Sequence, residues 1–163
     1  MTTDSIEALF VDGLQELYYT EQQLVDALET LSEQTNDDTA SEGFSEHRKE
    51  TQDQVDRLEQ VFEQIGEEPQ TKQDRVVNAL IEEHEQFAGE NDGEVLDRYN
   101  IAVGQKTEHY EIAAYGNLTS LAEKLGHDEA ADLLEESLRE EEDALDEVAQ
   151  ASEQFDQQQV ADD

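Results

Sequence analysis

Phe10, Leu14, Leu17, Glu21, Leu24, Leu28 and Leu31 recur at alternating intervals of four and three, a spacing that gathers them on one side of an α-helix. A chain patterned this way must pack helix against helix. One member of the row is an acid, and burying an ionised carboxylate alone costs on the order of several kcal/mol unless it is protonated, paired, hydrated or bound to a cation. Glu50, Glu111 and Glu141 interrupt or border similar stripes further along the chain. Four helices that each turn one acid inward would form a cation cage.

The helical period returns in four long segments. Ser5 or Asp4 can cap a first helix over residues 5–33, and the polar run Thr35–Asp38 breaks it. A second helix over 40–65 carries Phe44, His47, Thr51, Leu58, Phe62 and Ile65 on one face, and Gly66 with Pro69 stops it. Residues 67–93 form a long crossover holding a shorter amphipathic piece with Val76, Val77, Leu80, Ile81, His84 and Phe87, which predicts a short extra helix. A third long helix over 94–125 closes at Gly126, a fourth covers 128–152, and residues 154–163 read as a flexible acidic tail. No segment alternates as a strand would. The expected architecture is one all-α domain over residues 1–153, a ferritin-like four-helix bundle of two antiparallel hairpins joined by the crossover.

Composition narrows the function classes. Forty-five acids stand against nine bases, a formal net charge of −36, yet the apolar residues fall at helical intervals rather than scattering as in a disordered chain. Near molar salt the screening length falls to about 3 Å and the self-repulsion fades, so the chain reads as halophilic. So few bases leave no footprint for nucleic acid or for an anionic membrane surface. The absence of cysteine removes disulfides and thiolate chemistry, leaving oxygen and imidazole as metal ligands. No apolar run nears the roughly 18 residues of a membrane span, and neither signal peptide nor anchor is apparent, so a cytoplasmic protein is expected. Neither a glycine-rich phosphate loop nor a nucleophile elbow supports nucleotide or hydrolase chemistry.

Direction and depth select the acids. Glu111 falls about 20° from Leu118 on a helical wheel, with Glu108 near 80° at the margin; Glu141 lies about 60° from Leu138. On the second helix His47 lies about 20° from Leu58 and Glu50 about 80°, so Glu50 borders its stripe. Glu111 and Glu141 are each fifteen residues from Gly126, and Glu21 and Glu50 are equally distant from the Thr35–Asp38 turn, so each hairpin brings its two acids level. Bridging carboxylates neutralise two neighbouring divalent ions and leave open positions for oxygen species. Pairs three apart, Glu108 with Glu111 and His47 with Glu50, can reach one ion together. His109 lies opposite the stripe and suits a partner surface better than a metal. Ile112 and Tyr115 lie off its centre, which predicts a dimer contact or cover from the crossover. Tyr18, Tyr19 and Tyr110 read as packing residues with hydrogen-bonded hydroxyls, His84 and His127 as surface residues.

The strings FVDGLQELYYTEQQLVDAL (Phe10 to Leu28), HRKETQDQVDRLEQVFEQIG (His47 to Gly66), EHYEIAAYGNL (Glu108 to Leu118) and LGHDEAADLLEESLREEE (Leu125 to Glu142) together resemble the YciF/YciE-type ferritin-like family. The resemblance spans nearly the whole chain and implies a rubrerythrin- and ferritin-like bundle, a homodimer and an association with stress responses. The wider di-metal superfamily carries E-x-x-H on its second and fourth helices. Here Ala144 stands three residues after Glu141, and the second helix reverses the order to His47 and Glu50; Glu108 can replace one lost ligand.

Two readings follow. The first is a cytoplasmic stress-response protein with a carboxylate-rich di-metal centre, iron or manganese at two ions per chain, held by Glu21, Glu50, Glu111 and Glu141, completed by Glu108 and His47, and reacting with oxygen or peroxide. The alternative is a metal-free structural or interaction protein of the same fold acting as a homodimer, its inward acids hydrogen-bonded with raised pKa values.

Overall fold

Helix boundaries fall where the capping chemistry puts them. The computed structural model describes residues 3–162, with side chains described for residues 3–159. Within these lie α1 (Ile6–Gln34), α2 (Asp38–Ile65), α3 (Arg75–Glu90), α4 (Gly93–Leu125) and α5 (Asp128–Asp162), and no strand. The Ser5 hydroxyl accepts from the Ala8 amide to open α1, and Asp37 accepts from the Ala40 amide to open α2. Gly66 and Gly126 close α2 and α4 with φ of 74° and 79°, left-handed values that glycine adopts without steric cost.

Neighbouring long helices run antiparallel. Along α1 and α2, Ser41 donates to the Ser32 carbonyl near the turn and Tyr18 donates to Glu59 far from it. Across α1 and α4, Gly13 lies against Leu118, Glu21 meets Tyr115 and Thr35 meets Asn100, again in opposite directions. α4 pairs with α5, and α2 touches α5, so the four long helices close a ring of contacts. α3 lies outside it against α4 and α1.

The tail expectation is corrected. Residues 154–162 continue α5, because Phe155 is buried against Leu28, Leu31, Phe44 and Ile101 and Arg98 pairs with Asp156 at 2.7 Å. Asp163 lies outside the described residues. α2 begins at Asp38, two residues earlier than expected, since Asp37 supplies the cap.

The interior comes in two apolar blocks. At one end Phe10, Leu14, Leu58, Phe62, Leu118 and Leu134 pack together; at the other sit Leu28, Leu31, Phe44, Ile101 and Phe155. Between them lies a polar layer containing Glu21, Thr51, Gln54, Glu108, Glu111 and Glu141, all buried. Three of the four acids that interrupt or border the sequence stripes, Glu21, Glu111 and Glu141, therefore sit together in this buried layer.

Candidate metal centre

His47, Glu108, Glu111 and Glu141 each offer a ligand atom, and these atoms all lie within 4.8 Å of one another. The helical rise delivers them: Glu108 and Glu111 are one turn apart on α4, while α2 and α5 bring one residue each to the same level. Glu21 adds a fifth group from α1, fully buried, close enough to Glu111 to share a proton with it and accepting a hydrogen bond from the Tyr115 hydroxyl. Glu50 is not part of this group. It lies with 37% of its side chain exposed and binds His47 Nδ1 at 3.1 Å from the outside. The α2 residue that faces inward onto Glu108 is His47, which has the smaller wheel angle of the two.

The electrostatics are unusual for a protein interior. Burial pushes Glu111 and Glu141 well above the usual carboxylate range, and neighbouring carboxylates add to the effect. Glu21 is pushed up to about 7, again chiefly by burial, with the adjacent Glu111 carboxyl and the Tyr115 hydroxyl pulling the other way. Burial also acts against the charge on Glu108, but the neighbouring Glu141 carboxyl and the His47 imidazole outweigh it and hold its carboxyl below the ordinary value. His47 resists burial in the same manner: contacts with Glu108 and Glu50 raise its imidazole well above 6.5. Its Nε2 lies 2.8 Å from Glu108 and 3.7 Å from Glu141. The picture is one ion pair, His47 with Glu108, amid three acids that burial drives toward neutrality.

Even so, the layer has unmet hydrogen-bonding capacity. Glu21 Oε2, Glu108 Oε2 and both oxygens of Glu111 and of Glu141 are buried without a partner. A proton can bridge Glu21 to Glu111 or Glu108 to Glu141, but two bridges leave some of these oxygens bare. An orphaned buried acceptor costs about 1–3 kcal/mol, so a cation among them relieves several such penalties at once. Oxygen donors with one imidazole suit a divalent transition ion, and Glu50 on the outer ring nitrogen resembles the carboxylate that commonly orients a ligating histidine.

Several residues stand elsewhere than the sequence suggested. Tyr115, expected off the stripe, is fully buried in the first apolar block with its hydroxyl on Glu21; its position one turn after Glu111 was the available signal. Tyr110, read as a packing residue with a hydrogen-bonded hydroxyl, donates to Asp74 at the start of α3. His84 is a buried residue rather than a surface one: its Nε2 lies 2.8 Å from Asn100 Oδ1, and its ring stacks on Tyr99. His127 stacks on Phe10. His109 is exposed. Tyr18 and Tyr19 hydrogen-bond to Glu59 and Asn78. Asp74 was missed: buried ahead of α3, it accepts from the Val76 and Val77 amides and from Thr20 and Tyr110.

These features define an all-helical protein with a buried carboxylate–imidazole layer. Residues 5–161 match the family described as a domain of unknown function (DUF892), and the chain belongs to that family. It is 41% identical over 146 residues to Protein YciF of Escherichia coli (strain K12), covering 86% of each chain. The crystal structure of the E. coli stress protein YciF matches with a TM-score of 0.89 and 36% identity over 93% of this chain and 97% of that one. YcfI from Rhodopseudomonas palustris, provisionally classed as a structural protein, matches with a TM-score of 0.88 and 39% identity over 90% and 94%. A Xanthomonas campestris pv. campestris protein at 19% identity shares the fold, with a TM-score of 0.76 over 96% and 99%. Among the described residues, no helix is long and apolar enough to cross a membrane.

Proposed function

We propose that this chain is a ferritin-like four-helix bundle that acts in the stress response as a metal-binding protein, holding iron or manganese in its central polar layer. The observation that carries the reading is the set of buried, partnerless oxygens on Glu21, Glu108, Glu111 and Glu141. His47, Glu108, Glu111 and Glu141 would hold one ion, with Glu21 beside Glu111 available to a second. Glu50 is assigned here to orienting His47 rather than to ligation. A bound ion would supply Lewis acidity and redox capacity toward oxygen or peroxide. Around it, Tyr115 fixes the Glu21 carboxyl, Gln54 and Arg57 fix Glu140 beside the layer, and the two apolar blocks pack above and below it.

A second reading has its own support. Two carboxyl–carboxyl proton bridges, the His47–Glu108 ion pair and the Tyr115 hydroxyl leave the layer close to electrically neutral without metal, which suits a structural bundle of the kind suggested for the Rhodopseudomonas relative. Metal analysis of protein purified without chelator, then loaded with manganese or iron under anaerobic conditions, separates the two. One or two ions per chain, and a melting temperature higher by about 5–10 °C at 100-fold excess over Kd, support the first. No uptake under any loading condition leaves the structural bundle.

A further inference from the structure

The polar layer is not sealed. A half-open cleft of about 210 Å³ runs down to it between α1, α3 and α4. Its apolar walls are Leu24 and Leu28 of α1, Leu80 and Ile81 of α3 and Val103 of α4, with Thr107 and His84 among the polar lining, and its floor is formed by His47, Glu108 and Glu111. Asp26 and Glu85 stand among the residues at its rim, both exposed. α3, the helix inserted in the crossover, supplies one wall, so the cleft exists because the crossover folds back over α1 and α4 rather than passing as a loop.

We infer that this cleft is a binding site for a compact neutral molecule with an apolar body and one hydrogen-bond-donating head, such as a hydroxyl. Size fits: an engineered apolar cavity of about 150 Å³ takes up benzene, and this cleft is larger. Its walls favour hydrocarbon, since each buried methylene contributes about 0.8 kcal/mol. The floor selects the head. Glu108 and Glu111 are buried to 5% and 1% exposure and carry oxygens without partners, so a hydroxyl head can satisfy them, whereas a carboxylate pays the full cost of carrying its charge out of water. Acids at the rim disfavour anions on entry as well. The apolar walls belong to α1, α3 and α4 side chains that ligate nothing, while the floor acids are open to a head group in the metal-free protein.

Phenol and benzoate make a matched pair of probes, one ring with a donor head and the same ring with an anionic one. Titrated into the full chain in chelator and followed by methyl resonances, phenol should bind saturably at one molecule per chain and shift Leu28, Ile81 and Val103. Benzoate should bind at least about tenfold more weakly. Ile81→Trp, which fills the cleft from the partly exposed α3, should weaken phenol by about tenfold or more, with Leu80→Trp as a second filling variant and Leu9→Trp, at a surface position away from the cleft, binding as the parent does. Equal affinity for the two probes, absence of saturable shifts, or phenol binding that ignores both filling variants would overturn the inference. Manganese uptake is measured without phenol, and phenol uptake without metal, so each proposal can fail alone.

Discussion

Glu111 shows how one side chain can be costly and useful together. Its carboxyl is almost wholly buried, burial drives it toward the neutral form, and neither oxygen has a partner. Glu111→Gln keeps the shape and removes the ionisable group. In chelator its urea midpoint should equal or exceed that of the parent, since removing an awkward buried acid is often neutral or stabilising, while the melting increase on adding manganese should vanish. A parent-like manganese response in this variant would remove Glu111 from the ligand set.

Glu21 gives the layer a pH signature. Its folded pKa, about 7, exceeds the ordinary 4.5, so its contribution to stability is complete below pH 4.5 and is lost as the pH climbs to about 7. Glu111 and Glu141 are raised too and act in the same direction; Glu108, held low, acts below that window. The chelated protein should therefore lose stability between pH 5 and pH 7, Glu21 alone accounting for on the order of 2 kcal/mol. Comparing urea midpoints at the two pH values checks this: the parent should fall more steeply than Glu21→Gln, and matching slopes would remove Glu21 as a cause.

At the level of elements, α3 depends on one aspartate. Asp74 caps its first turn and takes hydrogen bonds from Thr20 of α1 and Tyr110 of α4, so Asp74→Ala removes a cap and orphans two hydroxyls. A loss of about 2–4 kcal/mol follows, and amide exchange should rise first in α3 while α2 and α5 keep their protection. Protection lost evenly along the chain would show that α3 is not a separately held element. The C-terminal part of α5 is also more than an appendage. Phe155 fills the second apolar block, and Phe155→Ala should cost about 3 kcal/mol, readable as a lower thermal midpoint.

For the whole molecule, charge dominates. A net −36 spread over the surface repels itself, so raising potassium chloride from 0.1 to 1 M should increase the urea midpoint as the screening length shortens from about 10 to 3 Å. A midpoint indifferent to salt would mean that the acidic faces are solvated without strain, and the salt-loving character expected from composition would lose its physical basis.

Element type, the hairpin turns and the inward direction of Glu21, Glu111 and Glu141 were all legible in the chain, because helical period and capping residues act over a few positions and need no tertiary partner. Packing alone decided the rest. His47 had the smaller wheel angle, but its pairing with Glu108 of α4 while Glu50 stays 37% exposed follows from how α2 sits against α1 and α5. Residues 154–162 read as polar until Phe155 finds the pocket between α1, α2 and α4. Asp74, His84 and Asn100 acquire their roles only when the crossover folds onto α1 and α4, since a buried polar network is defined by partners tens of residues apart, which local pattern cannot encode.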